Sequence, residues 1–287
     1  MTGLLFRSLA APSVALALAA VLILTPDRAR AVPLTPVDLE LALVLDLSGS
    51  VSQVEFALQR NGYVTAFNDP AVKNAIQALG DAGTGGIAVS VFYFATSTAA
   101  PNGQQIGWTQ LQSAADSAAF ATMLNGLTGS GPSGGGFGLT NIASGIDLGV
   151  SSIGSNTFDS SRLTIDVSGD GKQNTNRAGT ATCSFTSTTC LGAIHGARDD
   201  AATAGITVNG LAIVTDFADL LTYYQNNVIT PDGFAVNATS FTAFAPAVKD
   251  KIFREITGEA PEPGTLALFA AGLLGLGFIR RRRRVVA

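Results

Sequence analysis

Two kinds of hydrophobic pattern alternate along the chain between residues 39 and 257. Short runs of apolar, β-branched and aromatic residues, clearest at 39–45, are typical of strands buried on both faces. Longer segments carry apolar residues at helical spacing. Strands are predicted at 39–45, 87–94, 105–109, 162–167, 207–214 and 234–236. Helices are predicted at 51–67, 71–79, 113–124, 142–148, 193–204, 220–228 and 241–256.

This alternation predicts an α/β fold, with a doubly wound, mostly parallel, Rossmann-like sheet and helices on both faces. Residues 32–260 contain no internal repeat and no interior linker, so they are predicted to form one domain. Ligands of such sheets bind at the carboxyl ends of the strands, near the point where strand order reverses. Candidate functional residues are therefore sought in the loops that follow the strands.

Residues 1–31 have the layout of a secretory signal peptide. Arg7 is followed by an apolar stretch over 14–24 and by the small-x-small sequence Ala29-Arg30-Ala31. The apolar stretch is short for a membrane span, so cleavage near Ala31 is expected, with an uncleaved anchor as the alternative.

The last residues, 261–287, form a second signal. Pro261-Glu262-Pro263 precedes an apolar stretch over 265–279 and five arginines at 280–284. These features resemble the PEP-CTERM sorting signal of Gram-negative bacteria, which implies a short transmembrane helix and cutting by a membrane-bound exosortase-type enzyme. A plain C-terminal anchor with cytoplasmic arginines is the alternative. The expected route is export, an inner-membrane intermediate, and then the cell surface or extracellular matrix.

Charge and cysteine content narrow the possible partners of residues 32–260. This segment carries nine Lys and Arg against nineteen Asp and Glu, a net charge of −10. Without a basic stripe to displace counterions, nucleic acid is excluded as a partner. The chain has only two cysteines, Cys183 and Cys190, and in an exported protein they are expected to form a disulfide across a Ser/Thr-rich loop.

The candidate chemistry centres on Asp46-Leu47-Ser48-Gly49-Ser50, directly after the first predicted strand. A carboxylate and two hydroxyls at alternate positions suit a hard cation, Mg²⁺ or else Mn²⁺ or Ca²⁺. Thr140 follows a glycine-rich loop over 129–138, and Asp170 follows the strand at 162–167. Asp166, inside that strand, is the alternative to Asp170, and as a buried carboxylate it needs a partner in either case.

The Asp-x-Ser-x-Ser triplet, the threonine and the Asp-Gly pair resemble the metal-ion-dependent adhesion site of the von Willebrand factor type A domain, over residues 39–257. The resemblance implies that Ser48, Ser50 and Thr140 bind the metal directly, and that Asp46 and Asp170 bind it directly or through water. One position stays open for an acidic group of a protein or matrix partner. The usual loop has Ser or Thr before the aspartate, whereas here a glycine precedes Asp170. This variant resembles an exported bacterial branch of the superfamily, a domain of unknown function.

Enzyme motifs fit less well. A haloacid dehalogenase-type phosphatase needs an aspartate where Ser48 stands, and the Gly-x-Ser-x-Gly match at 131–135 lies in a glycine loop and not at a strand-to-helix elbow. His195 is the sole histidine, and no Gly-Lys-Ser/Thr follows the glycine loop, which excludes a nucleotide P-loop. We expect a non-enzymatic, metal-dependent adhesion module. The alternatives are a periplasmic metal-assisted phosphatase or esterase, and a structural matrix protein with a vestigial site.

Overall fold

The computed structural model describes residues 33–96, 103–129 and 138–258. The predicted signal peptide, most of the glycine-rich loop and the predicted sorting signal lie outside the described residues. The main compact unit of the chain begins at Leu34.

The described part contains eight strands and seven α-helices. The strands are β1 (Thr35–Pro36), β2 (Leu39–Asp46), β3 (Ile87–Phe94), β4 (Gly103–Leu111), β5 (Phe158–Asp159), β6 (Leu163–Gly169), β7 (Ile206–Ile213) and β8 (Ala235–Ala238). The helices are α1 (Gln53–Asn68), α2 (Pro70–Asp81), α3 (Ala114–Asn125), α4 (Ile142–Ile153), α5 (Thr188–Thr203), α6 (Leu220–Asn227) and α7 (Phe244–Thr257), with a 3₁₀ turn at Phe241–Ala243.

Six strands form the central sheet in the order β4-β3-β2-β6-β7-β8. All neighbours are parallel except β4, which runs antiparallel to β3 at the edge. From β2 the chain first adds β3 on one side and later β6 on the other, so strand order reverses at β2. This arrangement confirms the predicted fold class and places the expected crevice at the carboxyl ends of β2 and β6.

Helices cover both faces of the sheet because the buried strands are apolar on both sides. Along β2, Leu41, Leu43 and Leu45 pack into the layer that contains α1, α2, α3 and α7. Ala42 and Val44 face the opposite layer, with α4, α5 and α6.

One face of β6 departs from this apolar pattern. Ile165 and Val167 pack in the α4 layer, but Asp166 between them faces α7, where Lys251 Nζ lies 2.6 Å from its carboxylate. Lys251 also contacts Glu255 at 2.5 Å, and all three side chains are buried. The partner that a carboxylate at position 166 requires is therefore a lysine from the last helix.

The predicted disulfide is confirmed: Cys183 and Cys190 are bonded, with their Cα atoms 5.8 Å apart. No helix in the described part of the chain is both long and apolar enough to cross a membrane. The transmembrane helix predicted over 265–279 lies outside that part.

Several boundaries differ from the sequence prediction. Strand β4 has nine residues where five were predicted, because an exposed antiparallel edge needs no apolar run. Helix α5 begins five residues early, since Ser187 caps its polar first turn by accepting a hydrogen bond from the Cys190 amide. The pairing of the two-residue strands β1 and β5 was not predicted.

Candidate metal centre

Asp46 is the last residue of β2, and its side chain is fully buried. The Ser48 amide donates to Asp46 Oδ1 at 2.7 Å, a local Asx turn that bends the chain away from the strand. The next residue, Gly49, donates its amide to the Gly138 carbonyl at 2.9 Å. A Cβ at position 49 would lie 2.8 Å from that carbonyl oxygen, so glycine is required where the two loops meet.

A chain of hydroxyl contacts joins three loops. Thr140 Oγ1 donates to Ser48 Oγ at 3.1 Å, and Ser48 Oγ lies 3.3 Å from Ser50 Oγ. Ser50 Oγ then donates to Asp170 Oδ1 at 2.7 Å. Together with Asp46, the structure thus brings the five predicted site residues into one cluster. Ser50 is exposed, so the cluster opens to solvent on its side.

Two polar residues after Asp170 fix the threonine loop, and the sequence analysis did not identify them. The Thr140 amide donates to Asn174 Oδ1 at 2.8 Å, and the Asn174 amide donates to the Thr140 carbonyl at 3.1 Å. Buried Gln173 accepts from the Ala143 amide at 3.0 Å, at the start of α4. The two consecutive amide side chains, one residue after the Asp-Gly pair, were the available signal.

Close packing explains why a glycine precedes Asp170. A Cβ at Gly169 would lie 2.6 Å from Asp46 Oδ2 and 3.0 Å from the hydroxyl of Tyr224. A Cβ at Gly171 would lie 2.7 Å from Thr140 Oγ1. A serine or threonine at position 169 would therefore collide with the first carboxylate of the cluster.

The cluster holds two buried carboxylates without a basic partner. Burial, and secondarily the charge of Asp170, raise the pKa of Asp46 to about 8. Burial also raises the pKa of Asp170 to about 6, although the hydrogen bond from Ser50 lowers it. No lysine or arginine of the described residues forms an ion pair with either group. Asp46 Oδ2 is buried without any hydrogen-bond partner, which is costly unless a cation binds there.

These donors fit a hard metal ion. The set consists of carboxylate and hydroxyl oxygens, the ligands that Mg²⁺ and Ca²⁺ prefer. The described residues contain no group of three or more His, Cys, Asp or Glu arranged to hold a metal, and this cluster has two carboxylates beside its three hydroxyls. A Mg²⁺ ion keeps several waters and needs few charged protein ligands, which suits a cluster with two carboxylates.

The other candidates lie elsewhere. Asp166, the alternative to Asp170, pairs with Lys251, and its carboxylate forms no hydrogen bond with the site hydroxyls. His195 Nε2 hydrogen-bonds to Asn227 Oδ1 at 2.8 Å, between α5 and α6. The Gly-x-Ser-x-Gly match at 131–135 lies outside the described residues.

Solved structures resemble this chain at low sequence identity. The pilus adhesin SpaC from Lactobacillus rhamnosus GG is 17% identical with a TM-score of 0.55, and the match covers 79% of this chain and 32% of the adhesin. The chain thus spans about a third of that protein. The vWF domain of the type V pili tip protein Mfa5 from Porphyromonas gingivalis is 12% identical with a TM-score of 0.47, over 81% of this chain and 99% of that domain.

No curated protein matches the chain. Residues 259–284 match the PEP-CTERM protein-sorting motif, which confirms the predicted sorting signal. Residues 36–260 match the family described as "Protein of unknown function (DUF1194)", and the chain belongs to that family.

Proposed function

We propose that this chain is an exported, non-enzymatic binding module whose metal-ion-dependent adhesion site holds one Mg²⁺, or Mn²⁺ or Ca²⁺, to bind an acidic group of a protein or matrix partner. The observation that carries the proposal is a buried aspartate oxygen, Asp46 Oδ2, with no partner at the centre of a cluster of oxygen side chains. The proposed ligands are Asp46, Ser48, Ser50, Thr140 and Asp170.

Charge explains how such a site would recognise its partner. Three of the five proposed ligands are neutral hydroxyls, so a divalent ion bound there keeps much of its positive charge. Residues 32–260 carry a net charge of −10 and repel acidic partners elsewhere. The bound ion would be the local exception, and an accessible position beside exposed Ser50 suits a carboxylate from the partner.

A binding role is favoured over catalysis by the residues around the cluster. Ser48 stands where a phosphatase of the haloacid dehalogenase type needs its acid, and His195 hydrogen-bonds to Asn227 and not to a site hydroxyl. The likeness to a pilus adhesin also supports adhesion. Assaying the purified chain for phosphatase and esterase turnover with Mg²⁺ and Mn²⁺ tests the enzymatic alternative, and metal-dependent turnover that Asp46→Asn abolishes would establish it.

The sorting motif supports a route through the inner membrane to the cell surface or matrix, with cutting by an exosortase-type enzyme. Protein recovered outside the inner membrane should lack Arg280–Arg284, as intact-mass measurement would show. Surface protein that retains those arginines would instead indicate a simple anchor.

Metal binding is tested by titrating the purified full-length chain with Mg²⁺ and Mn²⁺ in a calorimeter. Wild type should bind one ion, and Asp46→Asn should bind at least 100-fold more weakly, because the change removes the charge and keeps the shape. Asp232→Asn, at an exposed loop position, is the matched control and should bind as wild type does. Equal binding by wild type and Asp46→Asn would overturn the proposal. So would the absence of ion binding by wild type, which would favour the structural matrix protein.

A further inference from the structure

Lys172 is a buried lysine two residues after Asp170. Its side chain is only 6% exposed. The ammonium lies over three aromatic rings, 4.8 Å from the centroid of Phe185, 4.9 Å from Phe217 and 5.5 Å from Tyr223. We call these three rings the aromatic cage.

The cage is assembled from two separate parts of the chain. Phe185 belongs to the loop closed by the Cys183–Cys190 disulfide. Phe217 lies just before α6, and Tyr223 lies within it. Phe185 and Phe217 also contact each other edge to face, with centroids 5.7 Å apart. Both oxygens of Asp219 accept from Lys172 Nζ, at 2.7 and 2.8 Å. One ammonium group therefore ties the disulfide loop and the start of α6 to the segment that follows Asp170.

A lysine at this position is costly, because burial removes the ammonium from water. Three rings and a carboxylate offset that cost through cation-π and ionic contacts. A methionine or leucine would fill the same cage without needing Asp219, so packing alone does not explain a lysine. The ionic tie to Asp219 fixes the direction of the side chain as well as its burial.

What Lys172 holds in place is the backbone of residues 170–174. Within this segment, Asp170 accepts from Ser50, Gly171 packs against Thr140 Oγ1, and Asn174 exchanges two hydrogen bonds with the Thr140 backbone. The Cys183 amide donates to the Asn174 carbonyl at 3.0 Å, which links the disulfide loop to the same segment. A shift of this backbone would move two proposed metal ligands together.

We propose that Lys172 is a positioning residue of the metal centre, and that the disulfide loop contributes to metal affinity by supplying Phe185 to the aromatic cage. The proposal rests on the proposed function for its metal readout. It assigns the disulfide a role in shaping the site, beyond closing its own loop. Lys172 does not touch the metal, and acts through the 170–174 segment.

The test compares Lys172→Met with wild type in two measurements on the full-length chain. Mg²⁺ affinity by calorimetry should fall at least tenfold, while a Lys172→Arg variant, which can still reach Asp219 and the rings, should stay within threefold of wild type. Amide hydrogen exchange without metal should speed up at least tenfold at Thr140 and Asn174, and remain unchanged at the central-strand positions Leu43 and Val91. Lys249→Met, at a half-exposed lysine of α7, is the matched control.

A second test uses the variant Phe185→Leu and the double variant Cys183→Ser/Cys190→Ser. Each should weaken Mg²⁺ binding by about threefold to tenfold, and they decide the matter if Lys172→Met does not fold. Unchanged affinity together with unchanged exchange at Thr140 and Asn174 overturns the proposal. If wild type binds no Mg²⁺, the proposed function fails, and the exchange measurement alone then decides whether Lys172 positions this segment.

Discussion

Two pairs of buried carboxylates lie beside the central strands β2 and β6, and their surroundings differ. In the middle of the sheet, Asp166 and Glu255 share the ammonium of Lys251, at 2.6 and 2.5 Å. At the carboxyl end of the sheet, Asp46 and Asp170 are also buried, but their neighbours are hydroxyl groups and backbone amides. Asp166 and Glu255 have a cationic side chain, Lys251, as their partner. Asp46 and Asp170 have no cationic partner among the described residues.

The difference separates a structural ion network from the pair of carboxylates that we propose to bind an exchangeable ion. A lysine on α7 supplies a permanent countercharge, which anchors the helix against β6. Even so, burial and the charge of Asp166 raise the pKa of Glu255 to about 7, because two carboxylates share one ammonium. Without such a cation, the pKa of Asp46 rises further, to about 8. A bound divalent ion would offset the cost of burying the charged carboxylates of Asp46 and Asp170.

The largest expected effect follows from removing the built-in cation. Lys251→Met leaves Asp166 and Glu255 buried without a countercharge, so the free energy of unfolding should fall by about 3–5 kcal/mol at pH 8. Urea denaturation of the full-length chain measures the loss. Added Mg²⁺ should not restore Lys251→Met to the wild-type value, because the proposed ion site is at the other pair, Asp46 and Asp170.

Lys249→Met provides the control for this change, since Lys249 is half-exposed and pairs with Asp250, its neighbour on the same helix. Its unfolding free energy should stay within about 0.5 kcal/mol of wild type. A loss below about 1 kcal/mol in Lys251→Met would contradict the assignment of a structural ion network.

The next effect is a pH dependence that metal should remove. In the folded, metal-free protein, the raised pKa of Asp46 means that it holds a proton between about pH 4 and pH 8, where the unfolded chain has already released it. The unfolding free energy should therefore decrease as pH rises through this window, by about 3 kcal/mol between pH 5 and pH 8. Asp170 adds to the decrease below about pH 6.

Denaturation with EDTA or with saturating Mg²⁺ separates the two carboxylate pairs. Magnesium should abolish the part of the decrease due to Asp46 and Asp170, and leave the part due to Glu255, whose pKa is about 7. Asp46→Asn should remove its own share without metal. An identical pH profile in EDTA and in Mg²⁺ would show that Asp46 and Asp170 do not bind the ion.

The fold was predictable because its inner strands, β2 and β3 above all, are long apolar runs and the loops after them carry polar groups. The grouping of Asp46, Ser48 and Ser50 follows from three positions in one turn, and sequence spacing is enough to find it. The Lys251 partner of Asp166 was not predictable. The two residues are 85 positions apart, and only the packing of α7 on β6 brings them together.

The same limit applies to the cage around Lys172 and to the role of Gly169. Nothing in the local sequence states that Phe185 and Phe217 meet over one ammonium. The glycine before Asp170 departs from the usual pattern, and its reason is the position of Asp46 Oδ2 on another strand. Contacts between distant segments depend on side-chain packing, and a single sequence does not encode them in any local pattern.

The smallest expected effect tests whether the hydroxyl of Thr140, beside Asp46 and Asp170, contributes to ion binding. Thr140→Ala removes one oxygen from the cluster, together with its hydrogen bond to Ser48, but changes no charge. A water molecule can take the vacated position, so binding should weaken and not disappear. We expect Mg²⁺ affinity to fall about tenfold, equivalent to about 1.4 kcal/mol, by calorimetry on the full-length chain.

The thermal midpoint of metal-free Thr140→Ala should stay close to that of wild type, because Ser48 keeps its contact with Ser50 and the Thr140 backbone keeps both bonds to Asn174. Thr122→Ala, on an exposed face of α3, is the matched control and should bind Mg²⁺ as wild type does. Wild-type affinity in Thr140→Ala would mean that the Thr140 hydroxyl does not bind the ion. Its role would then be to hold the threonine loop against the Asp46–Ser50 turn through the hydrogen bond to Ser48.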